Sequence, residues 1–300
     1  MAICKSMCSV MRMNFYRWRY DRRIWIIFLF MGLVIIQELK GYTEYGLDSG
    51  EQCTGFLLPV LYLSGSFGIG VMKTMLYLGC MLILCDAPFM YQSTPYVILR
   101  SRRDSWWMGE CTYILLATLL YTIFVVVIST VTVLPIATFG DSWGGVLRDF
   151  AYGNGEMYAG DLNKYYNIHL ISPTDAMGYL YPVGAQMFTF FSVWASYFFL
   201  GLLQYLISLI SKSKFLGFVS AAVLIFLDPI IYGISDNVYL RWMLKLTPVT
   251  WVDVNNLYMW QEPVLSIPYI AMMFGVLILF LLLLIRMVSK KVVIEVRGEV

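Results

Sequence analysis

The side chains that could do chemistry in this 300-residue chain are few, and the densest run of them is the segment 86–110, DAPFMYQSTPYVILRSRRDSWWMGE. Asp86 can cap a helix beginning near Pro88 and Phe89, Pro95 forces a break, and Tyr96 to Arg103 can wind into a short amphipathic helix. That helix would present Arg100, Arg102 and Arg103 to the cytoplasm, with Ile98 and Leu99 beside them, before Trp106 and Trp107 open the next apolar stretch. An element of this kind can be gripped by a soluble partner; a basic loop that only obeys the charge rule of membrane topology would read the same way. The second place is Asp228-Pro229, where proline frees a backbone carbonyl one turn earlier, so the pair reads as a hinge ahead of an ion site.

Other chemistries are missing from the pattern. The chain has no G-x-x-x-x-G-K-[ST] phosphate loop, no H-E-x-x-H and no G-x-S-x-G elbow. His169 is its one histidine, which excludes a multi-histidine metal site, and no metal or catalytic residue is predicted. Of the six cysteines, Cys80, Cys85 and Cys111 sit in or beside apolar stretches, Cys4 and Cys8 in a basic tail, and Cys53 on the opposite side, so free thiols are expected. Glu38, Asp86, Glu110 and Asp228 fall towards the ends of apolar stretches, where carboxylates can reach water or headgroups. Such scarcity of mid-membrane charge argues against an ion-coupled pump.

The elements that carry these residues follow from composition. With 60% hydrophobic and 13% charged residues, the chain cannot assemble a water-facing surface. We read one all-α, polytopic transmembrane domain with spans at about 24–39, 74–91, 109–134, 183–210, 215–232 and 267–285. Residues 1–23 form a cytoplasmic amphipathic segment, retained because no small-residue cleavage site follows it; its run 10–23 interleaves aromatics with arginines, as in a helix lying among headgroups. The glycine-interrupted stretch 56–73 is re-entrant, interfacial, or an extension of the second span. Residues 92–108 form an inner loop, 136–181 a large outer loop rich in Gly, Tyr and Asp, and 286–300 a basic tail. The three tryptophans and two prolines of 233–266 suit a re-entrant or interfacial outer segment before the last span. Fifteen of the 21 basic residues fall on the inner side, and about 13 of the 19 acidic ones at or beyond the outer boundary, which places both termini in the cytoplasm.

At 86–110 the chain resembles permease subunits of type 2 ATP-binding-cassette exporters, especially bacterial ones associated with peptide or antimicrobial export and immunity. The similarity rests on an apolar span running into Asp86-Ala87-Pro88-Phe89, then Ile98-Leu99-Arg100-Ser101-Arg102, then Trp106-Trp107. It extends loosely over the lead-in helix and the six spans. The resemblance implies a non-catalytic subunit of a multi-pass cell-membrane transporter, with ATP and Mg bound by a separate cassette ATPase present in two copies. It also implies a second permease, identical or not, and makes Tyr96, Ile98, Leu99, Arg100, Arg102 and Arg103 the contacts with the ATPase. No cofactor is expected on this chain, and its remaining partners would be membrane lipid and not nucleic acid. The competing reading is a sensor or assembly protein that binds a ligand or partner through the outer loop 136–181, using Trp143, Tyr152, Tyr158, Tyr165 and Tyr166, without transport.

Overall fold

The computed structural model describes residues 2–64, 71–89, 103–152, 174–235, 238–257 and 265–291. Helix α1 (Ala2–Trp18) buries Val10 and Asn14 and leaves Arg12 and Tyr16 outward. Asp21 ends the following turn and caps α2 (Arg22–Ser49) by accepting a hydrogen bond from the Arg23 amide at 3.0 Å. At 28 residues α2 rises about 42 Å, enough to cross a hydrocarbon core of about 30 Å with length to spare. It stops at Gly50, whose φ of 74° is the left-handed termination that glycine allows.

The segment after α2 folds into protein. Strand β1 (Cys53–Thr54) and helix α3 (Leu58–Leu61) are buried, and Cys53, a free thiol as expected, is fully covered. Helix α4 (Val71–Ile83) begins before the expected 74 and ends well before 91. Its 13 residues rise about 20 Å, short of the core thickness. The backbone turns over Leu84 to Pro88, as favoured ahead of a proline, and Phe89 at φ 56° lies off the helical path. Asp86 therefore sits in a turn and not in a span.

Helix α5 (Arg103–Val133) begins six residues before the expected 109, taking in Arg103, Trp106 and Trp107. Pro135 converts its end to a 3-10 turn, Leu134–Ile136, which leads into β2 (Ala137–Thr138). The two short strands pair in parallel, Cys53 with Ala137 and Thr54 with Thr138. Gly144 bridges to Cys53 with φ 83°, and a Cβ there would come within 2.4 Å of the Gln52 carbonyl, so only glycine fits. Helix α6 (Gly144–Tyr152) then packs back on α2 and β1, and α7 (Thr174–Met177) follows.

Helix α8 (Pro182–Ser211) is the centre of the bundle, touching α4, α5, α9 (Lys214–Ser235) and α10 (Ile267–Lys291). Its most apolar stretch is 72% buried, against 22% in α10, so α10 leaves most of its surface uncovered by the rest of the described chain. Gly217 lets α9 lie directly on α8, since a Cβ would collide with Ser208 Oγ and the Gln204 carbonyl. Between α9 and α10 the described residues include three 3-10 segments, Val238–Lys245, Thr250–Val252 and Asn255–Leu257. Five helices, α2, α5, α8, α9 and α10, are long and apolar enough to cross a membrane. The described chain is mostly helical, as an all-α multi-pass membrane protein requires.

Candidate functional site

The described ion pairs outside single helical turns collect at opposite ends of the bundle. The basic end holds the start of α2, the turn 84–88, the start of α5, the α8–α9 turn and the end of α10. There Arg23 Nη2 donates to Asp86 Oδ2, while Lys214 Nζ approaches Asp86 Oδ1 at 3.7 Å. Arg23 also bridges Asp21 at 3.1 Å and points Nη1 at Cys85 Sγ, 2.9 Å away. Burial alone would raise the half-buried Asp86 carboxyl, but the Arg23 hydrogen bond and charge, with Lys214, hold it below the ordinary carboxylate range. The role expected of Asp86 as cap of a helix near Pro88 is thus corrected: its carboxylate ties α2 to α9.

Next to it, Phe89 is buried edge-on against Tyr113 of α5 and stacked on Tyr205 of α8. On the far side of the loop, Trp106 and Trp107 are buried in the first turn of α5. Arg103, exposed at the start of that helix, donates to the Lys290 carbonyl of α10 at 2.7 Å. Tyr96, Ile98, Leu99, Arg100 and Arg102 lie outside the described residues, while Arg103 belongs to α5. The described residues that flank 90–102 are thus held in the bundle: Asp86 and Phe89 by α2, α9, α5 and α8 on one side, and Arg103 by α10 on the other.

Glu110 is also corrected. Expected to reach water near a span end, it is fully buried where α1 crosses α5, accepting from Asn14 Nδ2 at 2.5 Å. Trp18 Nε1 donates to Tyr113 Oη at 2.9 Å in the same contact, so the lead-in helix is docked on α5 by polar bonds as well as packing.

The acidic end holds a second cluster. Lys73, in the first turn of α4, and Asp228, two turns from the end of α9, form an ion pair at 3.0 Å with side chains 0% and 4% exposed. Lys73 Nζ also donates to Ser64 Oγ at 2.7 Å. The Ser64 amide donates to Asp253 Oδ2 at 2.7 Å, and the Asn255 amide to Asp253 Oδ1 at 2.9 Å. This network binds α4, α9, the α3 segment and the 3-10 region 250–257 into one unit. Asp228 therefore does not reach water, and Pro229 lies inside an unbroken α9. Beneath it, Tyr62, Tyr77, Tyr121 and Tyr197 pack edge to edge. Their hydroxyls are satisfied inside the protein: Tyr62 pairs with Tyr197 at 2.5 Å, Tyr77 donates to Ser196 at 2.9 Å and Tyr121 to the Leu76 carbonyl at 3.1 Å.

Sequence reasoning passed over Lys73 as a mere interruption of an apolar run. Its signal was available: a lone lysine in such a run needs a buried partner, although nothing in the spacing names Asp228, 155 residues away. Trp143, expected as a contact residue of the outer loop, is buried and donates to the Leu180 carbonyl at 2.9 Å. The side chain of Tyr152, together with Tyr158, Tyr165, Tyr166 and His169, lies outside the described residues.

No family model, curated protein or solved structure matches this chain. What the fold defines on its own is a mostly helical, multi-pass membrane protein with ordered polar clusters at both ends.

Proposed function

We propose that this chain is the membrane-spanning permease subunit of an ATP-driven transporter, exporting a peptide or other amphiphilic substrate and energised by a separate ATPase. The basic end faces the cytoplasm with both termini. The second of six crossings includes α4, and 238–257 forms a re-entrant outer segment. The observation that carries this reading is that the described residues on both flanks of 90–102 are held in the bundle. A push on that segment reaches α2, α5, α8, α9 and α10 through an ion cluster and buried aromatics, which is what force transmission from a soluble motor requires. Arg100 and Arg102 supply the charge that such a partner would grip.

Co-expression of the chain with a cassette ATPase and purification through the permease tests it. The expected outcome is co-purification with stimulated ATP hydrolysis, both lost in Arg100→Glu/Arg102→Glu while the variant keeps its size-exclusion profile. Absence of association, or association indifferent to the charge reversal, overturns the proposal.

The alternative of a sensor or assembly protein has its own support in the ordered cap of β1, β2 and α6 at the acidic end. Deleting 153–173 separates the two: ATPase association survives under the permease reading and has no counterpart under the other.

A further inference from the structure

At the α1–α2 corner, Arg12 and Tyr16 of α1 and Arg19 and Tyr20 of the turn that follows it are all exposed and form one outward face. Tyr16 and Tyr20 bond through their hydroxyls at 2.9 Å with rings 5.4 Å apart. Trp25 Nε1 donates to the Trp18 carbonyl at 2.9 Å, which seats the indole against the end of this face, and exposed Arg22 stands one turn before it. Among the described residues Arg12, Arg19 and Arg22 have no carboxylate partner; the nearby Asp21 is engaged by Arg23.

From Trp25 the exposed face continues as a purely apolar stripe on α2 through Ile26, Leu29, Phe30, Leu33 and Ile36. Trp25 to Ile36 spans about 17 Å along the helix, close to the depth of one leaflet of a hydrocarbon core about 30 Å thick. A stripe of that length headed by aromatics and guanidinium groups has the dimensions and polarity order of one phospholipid: acyl chain, interface, phosphate.

We infer that the α1–α2 corner is a binding site for an anionic phospholipid of the inner leaflet, its phosphate held by Arg12, Arg19 and Arg22 and its acyl chains laid along Trp25, Leu29 and Leu33. Arginine suits the phosphate because its planar fork donates two parallel hydrogen bonds. Three unpartnered cations select a lipid with net negative charge over a zwitterionic one, whose own ammonium competes for the phosphate. A lipid seated there braces α1 against the membrane from the side opposite its Asn14–Glu110 contact with α5.

The full chain, purified in detergent and titrated with an equal mixture of phosphatidylglycerol and phosphatidylcholine, tests this by native mass spectrometry. The expected result is a first phosphatidylglycerol bound at least about tenfold more tightly than phosphatidylcholine, weakening as salt rises. Arg12→Gln/Arg19→Gln/Arg22→Gln removes that preference, whereas Arg286→Gln/Lys290→Gln, at the end of α10, leaves it in place. The single variant Arg19→Gln, in the exposed turn, lowers it about fivefold and guards against misfolding of the triple variant. Equal binding of the two lipids overturns the inference, as does a preference that survives the triple variant. A triple variant that loses the ATPase but keeps its lipid preference also overturns it, assigning the corner to a soluble partner.

Discussion

Asp86 and Asp228 each face a lysine from another helix, at opposite ends of one bundle, and the two pairs do opposite jobs because only one of them meets water. At the basic end the side chains of Arg23, Asp86 and Lys214 are 36%, 29% and 52% exposed. Their attraction is screened, and their geometry is loose at the 3.7 Å lysine contact. At the acidic end Lys73 and Asp228 are buried, and Lys73 makes a further hydrogen bond to Ser64, whose amide in turn donates to Asp253. The first arrangement can slide without large cost as helices shift. The second holds one geometry, because any separation leaves a bare charge in a dry interior.

Breaking the buried pair is accordingly the largest effect expected. Lys73→Met strands Asp228 and should destabilise the chain by about 3–5 kcal/mol, read as a loss of monodisperse protein and a lower midpoint in thermal unfolding in detergent. Lys73→Met combined with Asp228→Leu removes both charges and should recover most of that loss. If the double variant is no better than the single one, the cluster is not an isolated charge pair, and the connection through Ser64 to Asp253 carries more of the stability than the pair itself.

The contrast also explains what could be read from the sequence. Apolar runs locate α2, α5, α8, α9 and α10 because a helix must hide its backbone over about 20 residues whatever it packs against. The divisions fail where tertiary contacts compensate polar groups. Helix α5 takes in Arg103, Trp106 and Trp107, where both tryptophans bury inside the bundle and Arg103 finds the Lys290 carbonyl, a partner 187 residues away. Helix α4 stops at Ile83 because the next turn is used to aim Asp86 at Arg23 and Lys214. Glu110 and Asp228 were assigned to water by their position near span ends, when they are paid for by Asn14 and Lys73, and hydropathy holds no information on which side chain meets which. The anchoring of the residues that flank 90–102 was half legible: the aromatic and acidic ones stand out by type, but their holding of specific helices is a property of packing.

The smallest effect belongs to the exposed cluster, and it sharpens the comparison by separating stability from transmission. Asp86→Asn removes a partly solvated ion pair, so its cost to stability should be about 1 kcal/mol or less, shrinking further at high salt. The folded Asp86 carboxyl lies below its unfolded value of about 3.9, so its contribution is complete above that value and fades only as pH falls through the lower, folded one. Acidifying from pH 7 to 5 should therefore leave the wild-type cluster intact, with no change in thermal midpoint attributable to it. If 90–102 drives the helices through this cluster, Asp86→Asn should still lower ATPase stimulation by the permease several-fold at pH 7, with the ATPase remaining bound. Lys214→Gln, which removes only the 3.7 Å contact, should do less, because Arg23 still holds the carboxylate. A variant that keeps full stimulation while losing the Asp86 charge would assign the transmission to Phe89 and its stacking on Tyr205. Phe89→Ala would then be the substitution that uncouples the two ends.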